Sequence, residues 1–267
     1  KSIPLSPQMQ SLLGVLQEEL SPEVVIRLLL RLNADLLWNG GIGTYVKASY
    51  ESDFDAGDPT NDRLRIDASE LRVRIIGEGG NLGFTQLGRI EYALKGGSIN
   101  SDALDNSGGV DMSDHEVNLK ILLNPLVQDN KLSFEERNVI LEQMTEEVAL
   151  AVLHNNDTHG RQISLDKLRS ERDPLRFSSA IQWICMRGEK TRAELKLPTD
   201  EELLTRHNSG QGLTRPELAV LCAHVKLHIF KDLNAEAEDL PHFDEYVQAY
   251  FPQRIQNEYK QQITEHM

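Results

Sequence analysis

Three candidate strands in the first 110 residues break off into glycines and side-chain amides, and this restricts the chain more than any other feature. Asp35-Leu36-Leu37-Trp38 leads into Asn39-Gly40-Gly41-Ile42-Gly43, and Leu71 to Ile76 leads into Gly77-Glu78-Gly79-Gly80-Asn81-Leu82-Gly83. Ser98 to Ala103 is followed by Asp105-Asn106-Ser107-Gly108-Gly109-Val110. The first run, and the second with its near-continuous apolar end, suit buried strands, and a third strand is expected at Ser98 to Ala103. Glycine at a strand end permits a tight turn or the close approach of a ligand to the backbone. After Gly83 the pattern predicts a helix with Thr85 as its cap, an apolar stripe of Leu87, Ile90, Tyr92, Ala93 and Leu94, and a stop at Gly96-Gly97. Strand, glycine loop, helix and strand point to a parallel sheet, and in an open parallel sheet the carboxyl ends of the strands form the binding crevice. The three tips, 39–41, 79–81 and 106–109, are therefore expected to converge on one ligand.

The remaining segments read more plainly. Pro7 to Leu20 and Pro22 to Leu32 read as helices, with Ser21 capping the second, and Glu51 to Asp67 reads as a polar loop with one helical turn. Ser113 with Glu116 looks like a capping box opening a helix that ends near Pro125. Beyond it the chain is charged, leucine-rich and almost wholly helical. Ser133 with Glu136 opens one helix through Val152, and Thr214 with Glu217 opens another through Leu233. Shorter helices are expected at 165–169, 176–186, 201–205, 242–250 and 253–263.

Charge and composition exclude several roles. Forty-two acidic against 28 basic residues among 267 give a net charge of −14, which repels phosphate backbones and anionic membranes, so neither nucleic acid nor membrane is an expected partner. Cys185 and Cys222 sit singly in apolar segments, as buried thiols of a reducing cytoplasm do. Asp111, Asp114, His115 and Glu116 lie close enough to suggest a divalent cation, but acids at a helix start are favoured by the dipole alone. His224 and His228, four apart, read as helix surface or core, and no metal is assigned. The turn Gly77 to Gly83 has the strand-to-helix context of a dinucleotide fingerprint, yet Leu82 stands where its third glycine belongs, so a merely tight turn remains open.

The segments "DLLWNGGIGTYVKAS", "IIGEGGNLGFTQLGRIEYALKGG", "DNSGGVDMSDHEVNLKILL" and "GLTRPELAVL" resemble successive parts of the large NAD-specific glutamate dehydrogenases of bacteria. The resemblance implies an α/β fold: a partial Rossmann-like parallel sheet, the second half of a nucleotide-binding domain, over residues 1–125, then an all-α carboxyl-terminal domain over 126–267. It implies NAD as cofactor, with Gly79, Gly80, Asn81 and Asn106 at its nicotinamide end, and the expected convergence of the strand ends adds Asn39, Gly40 and Gly41 to the same site. It implies L-glutamate and 2-oxoglutarate as substrate and product, with Val110 lining the aliphatic part and Ser113 reaching a carboxylate. The pyrophosphate loop, ribose-binding acid and catalytic lysine and aspartate of the family are not recognisable here. The chain, which starts without methionine, thus looks like a carboxyl-terminal fragment of a cytoplasmic homo-oligomer, inactive by itself. Lys47 is the local lysine to consider, and it reads as solvated or phosphate-facing. The rival reading is a helical scaffold for assembly or regulation.

Overall fold

The computed structural model describes residues 2–188, 190–236 and 243–266. The chain is mixed α/β, with a small parallel sheet and a helical remainder. Ile3–Pro4 (β1) and Glu19–Leu20 (β2) pair antiparallel around helix Pro7–Leu13 (α1). That helix is shorter than its apolar pattern suggests because Gly14, at φ 68°, terminates it in the left-handed conformation. Helix Pro22–Leu30 (α2) starts as expected, with the Ser21 hydroxyl accepting from the Val24 amide. Leu36–Asn39 (β3) follows, then Val46–Lys47 (β4), helix Asp53–Ala56 (α3) and Ile66–Asp67 (β5). Ile75–Glu78 (β6), helix Gln86–Leu94 (α4), Ser98–Ile99 (β7) and helix Asp102–Asp105 (α5) complete this stretch.

The sheet runs β3-β6-β7 and is parallel throughout, with Trp38 opposite Gly77 and Asn39 opposite Glu78. Thr85 caps α4 by accepting from the Gly88 amide, and the crossover through this helix makes β6 and β7 parallel. Val46, Ile66, Val73, Ile76, Phe84, Tyr92 and Ile99 form the core of this region. Leu36, Trp38 and Ile75 project from the opposite side of the sheet and are exposed. The third strand stops at Ile99 instead of Ala103, because Asp102 already begins α5.

The loop 51–67 is more ordered than its composition suggests. Buried Arg65 donates through Nε to the Thr44 carbonyl (2.9 Å) and pairs with Asp53 (2.9 Å) and Asp62 (2.7 Å), while β5 pairs parallel with β4. Asp58 accepts from the Thr44 amide at 2.8 Å and from the Asn61 amide at 2.6 Å. The Thr44 and Asn61 donors hold its carboxyl below the usual carboxylate range. A depressed carboxyl contributes stability that is present at neutral pH and is lost as pH falls through its folded value, below the ordinary range of about 4. Melting temperature should therefore fall as pH drops below about 4, and Asp58→Asn should flatten part of that fall; an unchanged profile in the variant would show that Asp58 does not contribute.

From Ser107 onward the described residues form helices: Ser107–Gln128 (α6), Phe134–Gln143 (α7), Thr145–Arg172 (α8), Pro174–Gly188 (α9), Asp200–Asn208 (α10), Arg215–Ala235 (α11), Phe243–Tyr250 (α12), Gln253–Glu258 (α13) and Lys260–His266 (α14). His242, expected to open α12, lies outside the described residues. The capping box of Ser133 and Glu136 forms as expected, but the helix it opens ends at Gln143 and a new one starts at Thr145. The box expected at Ser113 does not form: the helix begins six residues earlier, so Ser113, Asp114 and Glu116 lie beyond its first turn. Gly108-Gly109 is thus helix, not loop. Ser107 donates to the Asn156 side chain (2.6 Å), and a Cβ on Gly108 would stand 2.9 Å from Asn156 Nδ2.

Two compact units emerge, Lys1–Asn106 with Gln162–His224, and Ser107–Arg161 with Val225–Met267. The sequence by itself suggests one cut at 125/126; the compact units divide at 106/107, and the first regains residues 162–224. The second unit has its own core, centred on Leu119, Leu122, Leu123, Met144, Ile255 and Ile263.

Candidate functional site

Parallel pairing puts the carboxyl ends of β3 and β6 on one rim, where the tips meet directly. The Gly80 amide donates to the Asn39 carbonyl at 3.0 Å, and a Cβ on Gly80 would stand 2.3 Å from the Gly41 carbonyl oxygen. Only glycine permits that approach. The third tip joins through Asn106, whose Nδ2 donates to Asn81 Oδ1 at 2.7 Å. One amide hydrogen-bonds the other, so Asn81 Nδ2 and Asn106 Oδ1 retain capacity for a further partner.

The structure thus brings Asn39, Gly40, Gly41, Gly79, Gly80, Asn81 and Asn106 together within the first unit. Asn39 differs from the rest in direction. Its side-chain amide turns inward against Gly83, where a Cβ would stand 1.8 Å from Nδ2, and that nitrogen is buried without a hydrogen-bond partner. Val110 and Ser113 lie on α6 in the second unit, both exposed. Lys47 forms an ion pair with Asp67 across the β4–β5 pair, which occupies its ammonium group.

Beneath the rim lies a charged cluster that the sequence pattern does not single out. Glu78 ends β6 fully buried, and Arg89 of α4, 4% exposed, grips it with Nε to Oε2 at 2.6 Å and Nη2 to Oε1 at 2.9 Å. The same guanidinium lies 3.2 Å from Asp102 Oδ1. Burial disfavours the Arg89 charge, but Glu78 and Asp102 outweigh it and hold the group above its ordinary value. Asp102 Oδ2 accepts from the Leu82 amide (2.8 Å), and Asp105 Oδ2 accepts from the Glu78 amide (3.0 Å). The two acids of α5 therefore clip both ends of the turn 78–82. The signals for this cluster are slight: an acid between two strand-end glycines, and an arginine flanking an apolar stripe.

Among the described residues no group of three or more histidine, cysteine, aspartate or glutamate side chains could hold a metal ion, and no helix is long and apolar enough to cross a membrane. Buried His115 instead stacks on Tyr250 at 4.7 Å, and Asp114 accepts from the Tyr250 hydroxyl at 2.8 Å.

A parallel-stranded α/β unit with glycine and amide groups gathered on its carboxyl rim has the features of a protein that takes a small ligand at that rim. The sequence comparisons give the family. Residues 1–166 match the family described as bacterial NAD-glutamate dehydrogenase, catalytic domain, and residues 210–267 match one described as glutamate dehydrogenase, C-terminal. The NAD-specific glutamate dehydrogenase of Halomonas elongata is 43% identical over 267 residues, covering all of this chain and 17% of that protein. Its namesake from Pseudomonas aeruginosa is 46% identical over 233 residues, 87% of this chain and 14% of that protein. That of Mycobacterium tuberculosis is 42% identical over an aligned 273 residues, covering 100% of this chain and 17% of that protein. The chain belongs to the bacterial NAD-glutamate dehydrogenase family. It spans less than a fifth of the length of these relatives.

Proposed function

We propose that this chain forms part of an NAD-dependent glutamate dehydrogenase, and that the rim of its sheet takes the nicotinamide end of the cofactor. On this reading the sheet is the second half of a Rossmann-like domain. The observation that carries the reading is the Asn81–Asn106 amide pair beside the Gly80–Gly41 backbone contact. An amide pair with unspent donor and acceptor capacity fits a carboxamide or ribose hydroxyl, and glycine backbones admit a flat ring closely. Asn81 and Asn106 would bind and orient that group, with Gly40, Gly41, Gly79 and Gly80 as its floor. Asn39 acts from within, its carbonyl fixing Gly80. A nicotinamide cofactor held by these residues would supply the two-electron acceptor for oxidation of L-glutamate to 2-oxoglutarate and ammonia. Val110 and Ser113 would contact the substrate's aliphatic part and a carboxylate. Lys47, held by Asp67, is not the base.

The test is a fluorescence titration of the whole enzyme that contains this chain with NADH. Asn81→Ala and Asn106→Ala should each weaken binding several-fold to about tenfold, as the loss of one ligand hydrogen bond does. Undiminished affinity in both variants would remove the rim from the cofactor site.

A further inference from the structure

The motif Gly212-Leu213-Thr214-Arg215-Pro216-Glu217-Leu218 lies more than a hundred residues downstream of the rim, and nothing so far gives it a role. Its own contacts are those of a rigid plug. Leu213 and Leu218 are buried, and the Thr214 amide and hydroxyl both donate to Glu217 Oε2 at 2.7 Å. Glu217, 1% exposed, also receives Arg206 Nη1 at 2.8 and 2.9 Å. The plug is fixed to the start of α4, where Gln86 Nε2 donates to the Pro216 carbonyl at 3.0 Å.

One side chain leaves this plug toward the sheet. Arg215 Nε donates to Asn100 Oδ1 at 2.6 Å, while its Nη1 is anchored on Ser164 at 2.8 Å. The Asn100 amide then donates to Asp105 Oδ1 at 2.7 Å, and the other Asp105 oxygen accepts from the Glu78 amide at 3.0 Å. Asp105 is followed directly by Asn106, which holds Asn81. Every member of this series lies in the first unit.

We propose that Arg215 is a positioning residue for the cofactor rim, acting through Asn100 and Asp105 to set the turn 78–81 and the Asn81–Asn106 pair. The proposal rests on the reading of that rim as the nicotinamide site. Asn100 is the hinge of the series, because its amide is the group there that accepts from a guanidinium on one side and donates to a carboxylate on the other. Hydrogen bonds to charged groups at both ends are the strong kind, and a chain of them passes orientation from a fixed element to a movable one.

The test pairs an NADH fluorescence titration with steady-state kinetics of the full-length enzyme, and Arg215→Met and Asn100→Asp should each weaken NADH binding in that titration about three- to tenfold. Arg215→Met removes the first link. Asn100→Asp keeps an acceptor for Arg215 but faces Asp105 with a like charge, so it breaks the second link alone. Each should raise KM for NAD about three- to tenfold, leaving KM for glutamate near its original value. The double variant should be no worse than the more affected single, since both cut one series. Arg215→Lys, which keeps the charge but not the planar fork, should fall between wild type and Arg215→Met. Unchanged KM for NAD in Arg215→Met and Asn100→Asp, with Asn81→Ala and Asn106→Ala impaired, would overturn the positioning role and leave the rim assignment standing. Additive effects in the double variant would overturn the series as well. If Arg215→Met, Asn100→Asp, Asn81→Ala and Asn106→Ala all bind NAD normally, the rim assignment itself falls.

Discussion

Arg89→Met should destabilise the sheet-bearing unit by about 3–5 kcal/mol, the usual cost of removing one partner from a buried ion pair. Glu78 is fully buried and spends both oxygens on that guanidinium, so the variant leaves a buried carboxyl that must either carry its charge unpaired or take up a proton. The loss extends further, because Arg89 also faces Asp102, which holds the Leu82 amide. Denaturant unfolding of wild type and variant measures the difference. A double variant, Glu78→Leu with Arg89→Met, should recover part of the loss, since it removes the Glu78 charge but leaves Asp102 without its guanidinium. A cost below about 1 kcal/mol in Arg89→Met would place the pair among exposed ones, contrary to its burial.

Gly80→Ala should abolish the meeting of the first two tips. Its new methyl would lie 2.3 Å from the Gly41 carbonyl oxygen and 2.9 Å from its carbon, both backbone atoms that cannot swing aside. The tips must separate, and NADH affinity should fall by tenfold or more, about 1.4 kcal/mol at the least. Gly160→Ala is the control. It is a helical glycine of α8 whose Cβ would meet nothing within 4 Å, so the change should stabilise by about 0.5–1 kcal/mol. Equal behaviour of the two variants in the NADH titration would show that close backbone approach at Gly80 is not what shapes the rim.

The parts legible in the sequence share one property: their cause is local. Ser21 before Pro22, Thr85 before Gln86 and Ser133 with Glu136 mark real helix starts, because a cap is a hydrogen bond among neighbours in the chain. Ser113 with Glu116 has the same letters and forms no cap, because helix propagation from Ser107 had already satisfied that backbone. Two-residue strands such as β4 and β5 escape a periodicity argument altogether. Val46 and Ile66 are buried and paired with each other, yet each paired segment is two residues long, too short for a period to be read. Nor does local sequence indicate that residues 162–224 rejoin the first unit, since the contacts that join them, such as Arg215 with Asn100, span 115 positions.

Within the candidate site the division runs the same way. Glycine and asparagine at strand ends advertise themselves, because few other reasons place so many permissive backbones and amides there. Buried Glu78 and Arg89 do not, because a charge is read as exposed until a partner is seen. The sequence by itself determined the parallel sheet, its glycine-bearing tips, most helix starts and the family, all of which depend on neighbours in the chain or on matching letters. Only the tertiary structure decided that Gly80 rests on Gly41, that Asn106 holds Asn81, and that Arg215 reaches the turn through Asn100 and Asp105. Those are contacts between distant segments, and their free energy comes from desolvated polar groups finding one another across the fold, for which no short stretch of sequence carries the signal.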